Sequence, residues 1–393
     1  MTKDITLLEE QLNSFDSSQR RDALEQLAEQ VKSGQVSLAA KKREVNLHFH
    51  TFFSFNANGW SPSRIAWESA KYGLEVAGIV DFDVLDGMDE FLAAGKLLGL
   101  KAVAGLETRV FISELADKVI NSPNEPGISY FMASGCYRKP DAGSEAEKIL
   151  FNMRDTARQR NIVLVERVNA FLDEVQLDYD KDAVPLTPAG NVTERHLLLA
   201  YDIKARNVMR EKVASFWASK LGIDQAAAEA LLGNTPKLHD TMRSKLMKFG
   251  GVGYVKPDAG SFPSIEEAVS MMQGMGAIPT ATWLDATNPG EEDSTALVAL
   301  MQSKGVGALN IIPDRNWNIK NQEEKALKVK KLGEIVAACR AADLPIIVGT
   351  EMNKAGLPFV DNFAAPELVP FVDDFVAGAE YVYKYTATAL ATR

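Results

Sequence analysis

The sequence predicts an α/β fold of parallel strands covered by helices, interrupted by an inserted helical subdomain. Three observations predict it. Residues 45–106 alternate short apolar strands with helices, the same rhythm resumes after Gly250-Gly251, and between roughly 144 and 250 helical periodicity displaces the strand signal. At 393 residues the chain exceeds one ordinary domain but falls within the range of an α/β barrel carrying an insertion.

Taken in order, residues 5–34 place Leu7, Leu8, Leu12, Leu24, Leu27 and Val31 among charged side chains, broken near Ser14-Phe15-Asp16. This predicts two amphipathic helices in an N-terminal extension spanning 1–42. Val45 to His50 is a short strand; Ser61-Pro62-Ser63 opens a helix through Tyr72, with serine as N-cap and proline at N1, and Gly73 stops it. Glu75–Val80 is a buried strand, Asp86–Leu98 a helix and Leu100–Leu106 another strand. Arg109–Ile112 and Ile128–Ser134 follow as strands.

Helix-period stretches at Ala146–Gln159, Glu194–Arg206, Val208–Leu221 and Asp224–Leu232 make up the insertion, placed at 144–250. Helices at Ser264–Met275, Ser294–Ser303 and Gln322–Ala341 then alternate with strands at Ala277–Thr282, Gly307–Ile312 and Leu344–Gly349. The main α/β domain therefore comprises 43–143 and 251–393, closed by a helix at Asp373–Tyr385.

Composition narrows the classes of function. Hydrophobic residues at 46% against 24% charged supply enough apolar side chains for a sizeable core, which excludes a disordered chain. A formal charge of −10 disfavours extended nucleic-acid binding and adhesion to anionic membranes, leaving room for a local basic pocket. Cys136 and Cys339 are far apart and lack a C-x-x-C partner, so neither a disulfide framework nor a zinc ribbon is expected, and a reducing, cytoplasmic setting fits. The polar start and the lack of an 18-residue apolar run predict no signal peptide and no membrane span.

His48 and His50 carry the first chemical signal. Two apart at a strand end, they leave one face about 7 Å apart at the backbone and can converge on one metal ion. A pair of hydrogen-bonded barrel histidines is the competing reading.

The surrounding residues extend the signal. Asn46-Leu47-His48-Phe49-His50-Thr51, then Ser61-Pro62, Gly73-Leu74, Ala77-Gly78-Ile79-Val80-Asp81-Phe82-Asp83 and Gly87, resemble the opening pattern of the PHP (polymerase and histidinol phosphatase) family, D-L-H-x-H-S/T … T-D-H-D … G. Gly105-Leu106-Glu107 resembles its G-x-E strand end, Arg195-His196 falls where members place an R-x-H or R-H motif, and Gly349-Thr350-Glu351-Met352-Asn353 occupies the place of its G-S-D-x-H. The resemblance covers residues 45 to about 355.

It implies a distorted (β/α)7 TIM-like barrel with metals at the C-terminal strand ends, hydrolysing phosphate esters. Carried over residue by residue, one metal position keeps His48, His50, Glu107 and, with glutamate for aspartate, Glu351. A second would share Glu107 and use His196, but Thr282 stands where the family has the histidine of A-H-P. A third would need donors where this chain has Phe55 or Asn56, Phe82 and Asn353, and phenylalanine cannot bind a metal. The metal could be zinc, manganese or iron.

Asp81 could orient a motif histidine, and Arg195, Lys256, Arg315 and Lys354 could meet an anionic substrate. Asp83 and Asp285 are weaker candidates, and His239 is most simply a surface residue. Ion pairing competes for Glu107 and Glu351, and a plain helix-face role for His196. The leading expectation is a metal-dependent hydrolase of a small phosphorylated or otherwise anionic substrate; a catalytically silent binding or scaffold barrel is the alternative.

Overall fold

The computed structural model describes residues 4–257 and 260–392. The chain divides into two compact units, one formed by Met1–Phe151 with Phe262–Arg393, the other by Asn152–Ser261.

The first unit opens with α1 (Ile5–Gln11) and α2 (Ser17–Lys32), each N-capped by an aspartate, Asp4 and Asp16. There follow β1 (Val45–Phe49), α3 (Pro62–Tyr72), β2 (Val76–Phe82), α4 (Met88–Leu98), β3 (Lys101–Phe111) and β4 (Ile128–Ser134). Ser61 caps α3 with Pro62 in its first turn, and Gly73 ends it in the left-handed conformation, φ 88°. The long α5 (Glu145–Leu172) begins in this unit and runs into the other.

The second unit continues with α6 (Glu194–Met209), α7 (Val213–Leu221), α8 (Gln225–Leu232) and α9 (Thr235–Met242). It has its own core, in which Val168, Leu172, Leu197, Tyr201 and Trp217 are fully buried. The chain then returns to the first unit with α10 (Ile265–Gly274), β5 (Ile278–Trp283), α11 (Ser294–Ser303), β6 (Ala308–Ile311), α12 (Asp314–Trp317), α13 (Gln322–Ala341), β7 (Ile346–Val348) and α14 (Val372–Ala391).

The seven strands form one sheet in sequence order, β1 to β7. Every residue of β1, β5, β6 and β7 is buried, as expected for strands covered on both faces. Most neighbours are parallel, but β4 runs antiparallel to both β3 and β5. A parallel neighbour needs a crossover, usually a helix, whereas residues 112–127 contain only a short 3-10 turn at Ser113–Leu115, so the chain doubles straight back.

The sheet closes on itself at one end. Glu351 N–H donates to the His48 carbonyl at 2.7 Å and His50 N–H to the Glu351 carbonyl at 2.8 Å, a parallel bridge joining the end of β1 to the chain beyond β7. Gly349 makes the seam possible: a Cβ there would lie 2.3 Å from the His48 Cβ and 2.5 Å from the His48 amide nitrogen. The product is the nearly closed seven-stranded, TIM-like barrel that the sequence predicts, with one strand reversed. Among the described residues, no helix is long and apolar enough to cross a membrane.

Candidate metal centre

Strand alternation puts Asn46, His48 and His50 on one side of β1, and all three are fully buried. Register places Glu107 of β3 opposite Phe82 at the end of β2, so the acid reaches the same mouth from two strands away. The His48 and His50 Nε2 atoms lie 3.4 and 3.1 Å from Glu107 Oε2. Among the described residues, these three side chains form a group whose ligand atoms all lie within 4.8 Å of one another.

The far side of each ring fixes its tautomer. Ser54 Oγ donates its only proton to Asp81 Oδ1, 2.6 Å away, and therefore accepts from His50 Nδ1 at 3.0 Å. His48 Nδ1 faces Asn310 Oδ1 on β6 at 3.4 Å, again an acceptor. Held so, either ring in its neutral form turns an Nε2 lone pair toward a carboxylate oxygen. His48 Nε2, His50 Nε2 and Glu107 Oε2 are all buried and none is in hydrogen-bond geometry with a partner. Three buried acceptors facing one point are costly unless protons or a metal ion sit among them.

Charge follows the same logic. Burial works against a carboxylate at Glu107, but His48 and His50 in their protonated form outweigh it and hold its pKa at about 2. Burial likewise disfavours a charged His48, yet Glu107 overcomes it and the pKa is raised. Asp81 is pushed up by burial, against the opposing influence of His50 and of Ser54 and Thr51. The donor set, two imidazoles and a carboxylate fixed as an anion, fits a divalent metal of the zinc, manganese or iron kind.

Asp81 touches neither histidine directly. It accepts from Thr51 N and Oγ1 at 2.8 and 2.7 Å and acts on His50 through Ser54, locking the loop after β1. That loop is braced from the N-terminal helices: the Phe15 ring meets Phe52 edge-on at 5.6 Å, and the Arg20 guanidinium lies over Phe52 while pairing with Glu90. Phe52 and Phe53 pack with Val84 in a small apolar cluster of their own.

Glu351 lies beside the centre. Its main chain forms the barrel seam in a left-handed conformation, φ 65°, its charge acts on His48, and its Oε2 is 3.3 Å from Arg315 Nη2. Phe82 stacks on His50 at 4.6 Å, an apolar ring where the family resemblance puts a ligand. Asn56 is occupied in the loop, donating to the His50 carbonyl at 2.8 Å and accepting from Asn58 N. Thr282 is buried with its hydroxyl unpartnered.

Arg195 and His196 belong to the second unit. His196 Nδ1 accepts from Thr193 N at 3.1 Å, capping α6, and burial lowers its pKa to about 4. Arg195 pairs with Asp240 at 3.2 Å. His239, expected at the surface, has only 12% of its side chain exposed and lies 3.3 Å from Asp202, because α9 packs its ring against α6. Asp83 accepts from Thr108 and Asp285 pairs with Lys328 at 3.1 Å.

Sequence reasoning missed Ser54, Asn46 and Asn310. Asn46 Oδ1 accepts from His48 N at 2.9 Å while its amide donates to Thr350 Oγ1 at 2.7 Å, tying β1 to the seam. The alternation that selects His48 and His50 also selects Asn46, but nothing in the spacing links Asn310 to a strand five places away.

No family model and no curated protein matches the chain. Solved structures do. An amidohydrolase from Chromobacterium violaceum, with bound sulfate and no metal, shares 15% identity at a TM-score of 0.53, covering 81% of this chain and 91% of that one. A candidate metal-dependent phosphoesterase from Bifidobacterium adolescentis shares 16% at 0.51, covering 84% and 96%. At that identity the likeness establishes a common barrel fold.

Proposed function

We propose that this chain is a metal-dependent hydrolase of the PHP type, cleaving a phosphate ester of a small molecule or nucleotide with a reduced metal set. The observation that carries the proposal is the convergence of three buried, unsatisfied acceptors, His48 Nε2, His50 Nε2 and Glu107 Oε2, at the C-terminal end of the barrel strands. A metal held there would polarise a phosphoryl oxygen and lower the pKa of a bound water.

The chain's own residues divide the remaining work. Ser54 and Asp81 keep His50 in the tautomer that offers Nε2, and Asn310 does the same for His48. Glu351 is the fourth donor once its side chain turns from Arg315. Phe82 supports the reduced set, since an apolar ring fills the space beside His50. The proposed set also takes in Arg195 as an anion contact and His196 as a further ligand.

The test is direct. Protein purified without chelator carries close to one equivalent of metal by mass spectrometry, lost in His48→Ala and Glu107→Ala, and releases phosphate from a panel of esters. Less than about half an equivalent after adding manganese, iron and zinc refutes the proposal. Bound metal with no phosphate release above those variants points to a silent binding barrel. Arg195→Gln and His196→Ala, assayed alongside, decide the part of those two residues.

A further inference from the structure

Arg315 follows β6 in α12, and 47% of its side chain is exposed. The guanidinium carries five N–H donors in a planar fork suited to carboxylate or phosphate. Among the described residues it makes one ion pair, Nη2 to Glu351 Oε2 at 3.3 Å, a single contact where two parallel ones are the strong arrangement.

Glu351 is bound from the other direction. Its backbone is tied to His48 and His50 by the seam, and its carboxylate charge acts on His48 as it does on Arg315. The charge of Glu107 also reaches Arg315, so the guanidinium shares the field of the three-atom cluster. One carboxylate therefore answers two claims: a cation among His48, His50 and Glu107, and the arginine at the rim.

We propose that Glu351 and Arg315 form an exchangeable latch, in which a divalent cation at the His48/His50/Glu107 cluster draws the Glu351 carboxylate and releases the Arg315 fork to bind a phosphate-like anion. This rests on the metal-hydrolase reading and adds to it the residue that recognises the anion and the order of events. Without the cation, Glu351 holds one arm of the fork and its charge repels an anion. With it, the repelling charge is neutralised and the guanidinium is exposed, so cation and anion bind with positive coupling.

The experiment is calorimetric titration of the full chain with inorganic phosphate, with and without saturating manganese. The wild type binds phosphate at least about tenfold more tightly with manganese than without. Arg315→Gln binds manganese at least as tightly as the wild type, its competitor for Glu351 being gone, but loses phosphate affinity by about tenfold or more, and Arg315→Lys, which keeps charge without the fork, falls between. Glu351→Gln binds phosphate without manganese, and the double substitution abolishes that gain. Wild-type phosphate affinity in Arg315→Gln, or no metal-free gain in Glu351→Gln, overturns the latch. If the wild type takes up no manganese, the metal reading fails, and the metal-free comparison of Glu351→Gln with the double variant still decides the exchange.

Discussion

Gly349→Ala is the sharpest perturbation of this fold. A Cβ at position 349 would sit 2.3 Å from the His48 Cβ, 2.5 Å from Asn46 Oδ1 and 2.5 Å from the His48 amide nitrogen, and the last of these is backbone that cannot rotate aside. Relief means moving β1 away from the chain beyond β7, which stretches the two seam hydrogen bonds at 2.7 and 2.8 Å. Overpacking of this kind costs about 1–3 kcal/mol and the two bonds about 1 kcal/mol each, so the substitution costs about 3–5 kcal/mol. Gly99→Ala is the control: φ is 65° and nothing lies within 4 Å, so it carries backbone strain of about 1–2 kcal/mol and no clash. Guanidinium unfolding followed by fluorescence of the buried Trp67 and Trp283 measures both. Because the displaced residue is His48, manganese affinity falls with stability in Gly349→Ala and is unchanged in Gly99→Ala. A cost for Gly349→Ala within 1 kcal/mol of the control would refute the argument that this approach closes the barrel.

Three further outcomes follow from the site. Manganese or zinc at a hundredfold over its dissociation constant stabilises the native chain by about 2.7 kcal/mol, seen as a rise in melting temperature that Glu107→Ala removes. Ser54→Ala lowers metal affinity about 10–100-fold without unfolding the loop, since Thr51 still holds Asp81 through two bonds; equal affinity in the variant would show that His50 needs no such orientation. Asp361 is buried and pushed up to about 7, first by burial and then by Asp314. An acid with a raised pKa favours the folded state below its ordinary value near 3.8, and that contribution is lost as pH rises toward 7. Asp361→Asn therefore matches the wild type near pH 4 and exceeds it by a few kcal/mol at pH 8 in denaturation, whereas equal curves at both pH values would contradict the assignment.

The barrel was legible because its signals are local. Apolar runs of strand length alternating with capped amphipathic helices state the β/α rhythm, and Ser61-Pro62 and Gly73 mark the ends of α3 within the sequence itself. The reversal of β4 was not, since strand direction depends on whether a crossover fits between Phe111 and Ile128 and not on the residues of the strand. At the site, the pairing of His48 with His50 follows from alternation, and their meeting with Glu107 from strand ends two places apart in the sheet. The bond from Arg315 to Glu351 and the relay from Asp81 through Ser54 depend on rotamers set across the barrel, which no spacing encodes.

The same geometry explains why position 82 tolerates phenylalanine. His50 is already fixed on its edge by Ser54 and on its main chain by the seam, so nothing at Phe82 is needed to hold the ring in place. A stacked aromatic at 4.6 Å then contributes packing and excludes water from one face of the imidazole. Lower local polarity strengthens the attraction between Glu107 and whatever positive charge the cluster holds, whether a proton shared with His48 or a divalent ion. Each proton satisfies one pair of these acceptors, since it lies on a line between two atoms, so two are needed, one on each imidazole, whereas one ion at the centre satisfies all three. Its geometry therefore suits a metal ion before any question of ligand softness arises.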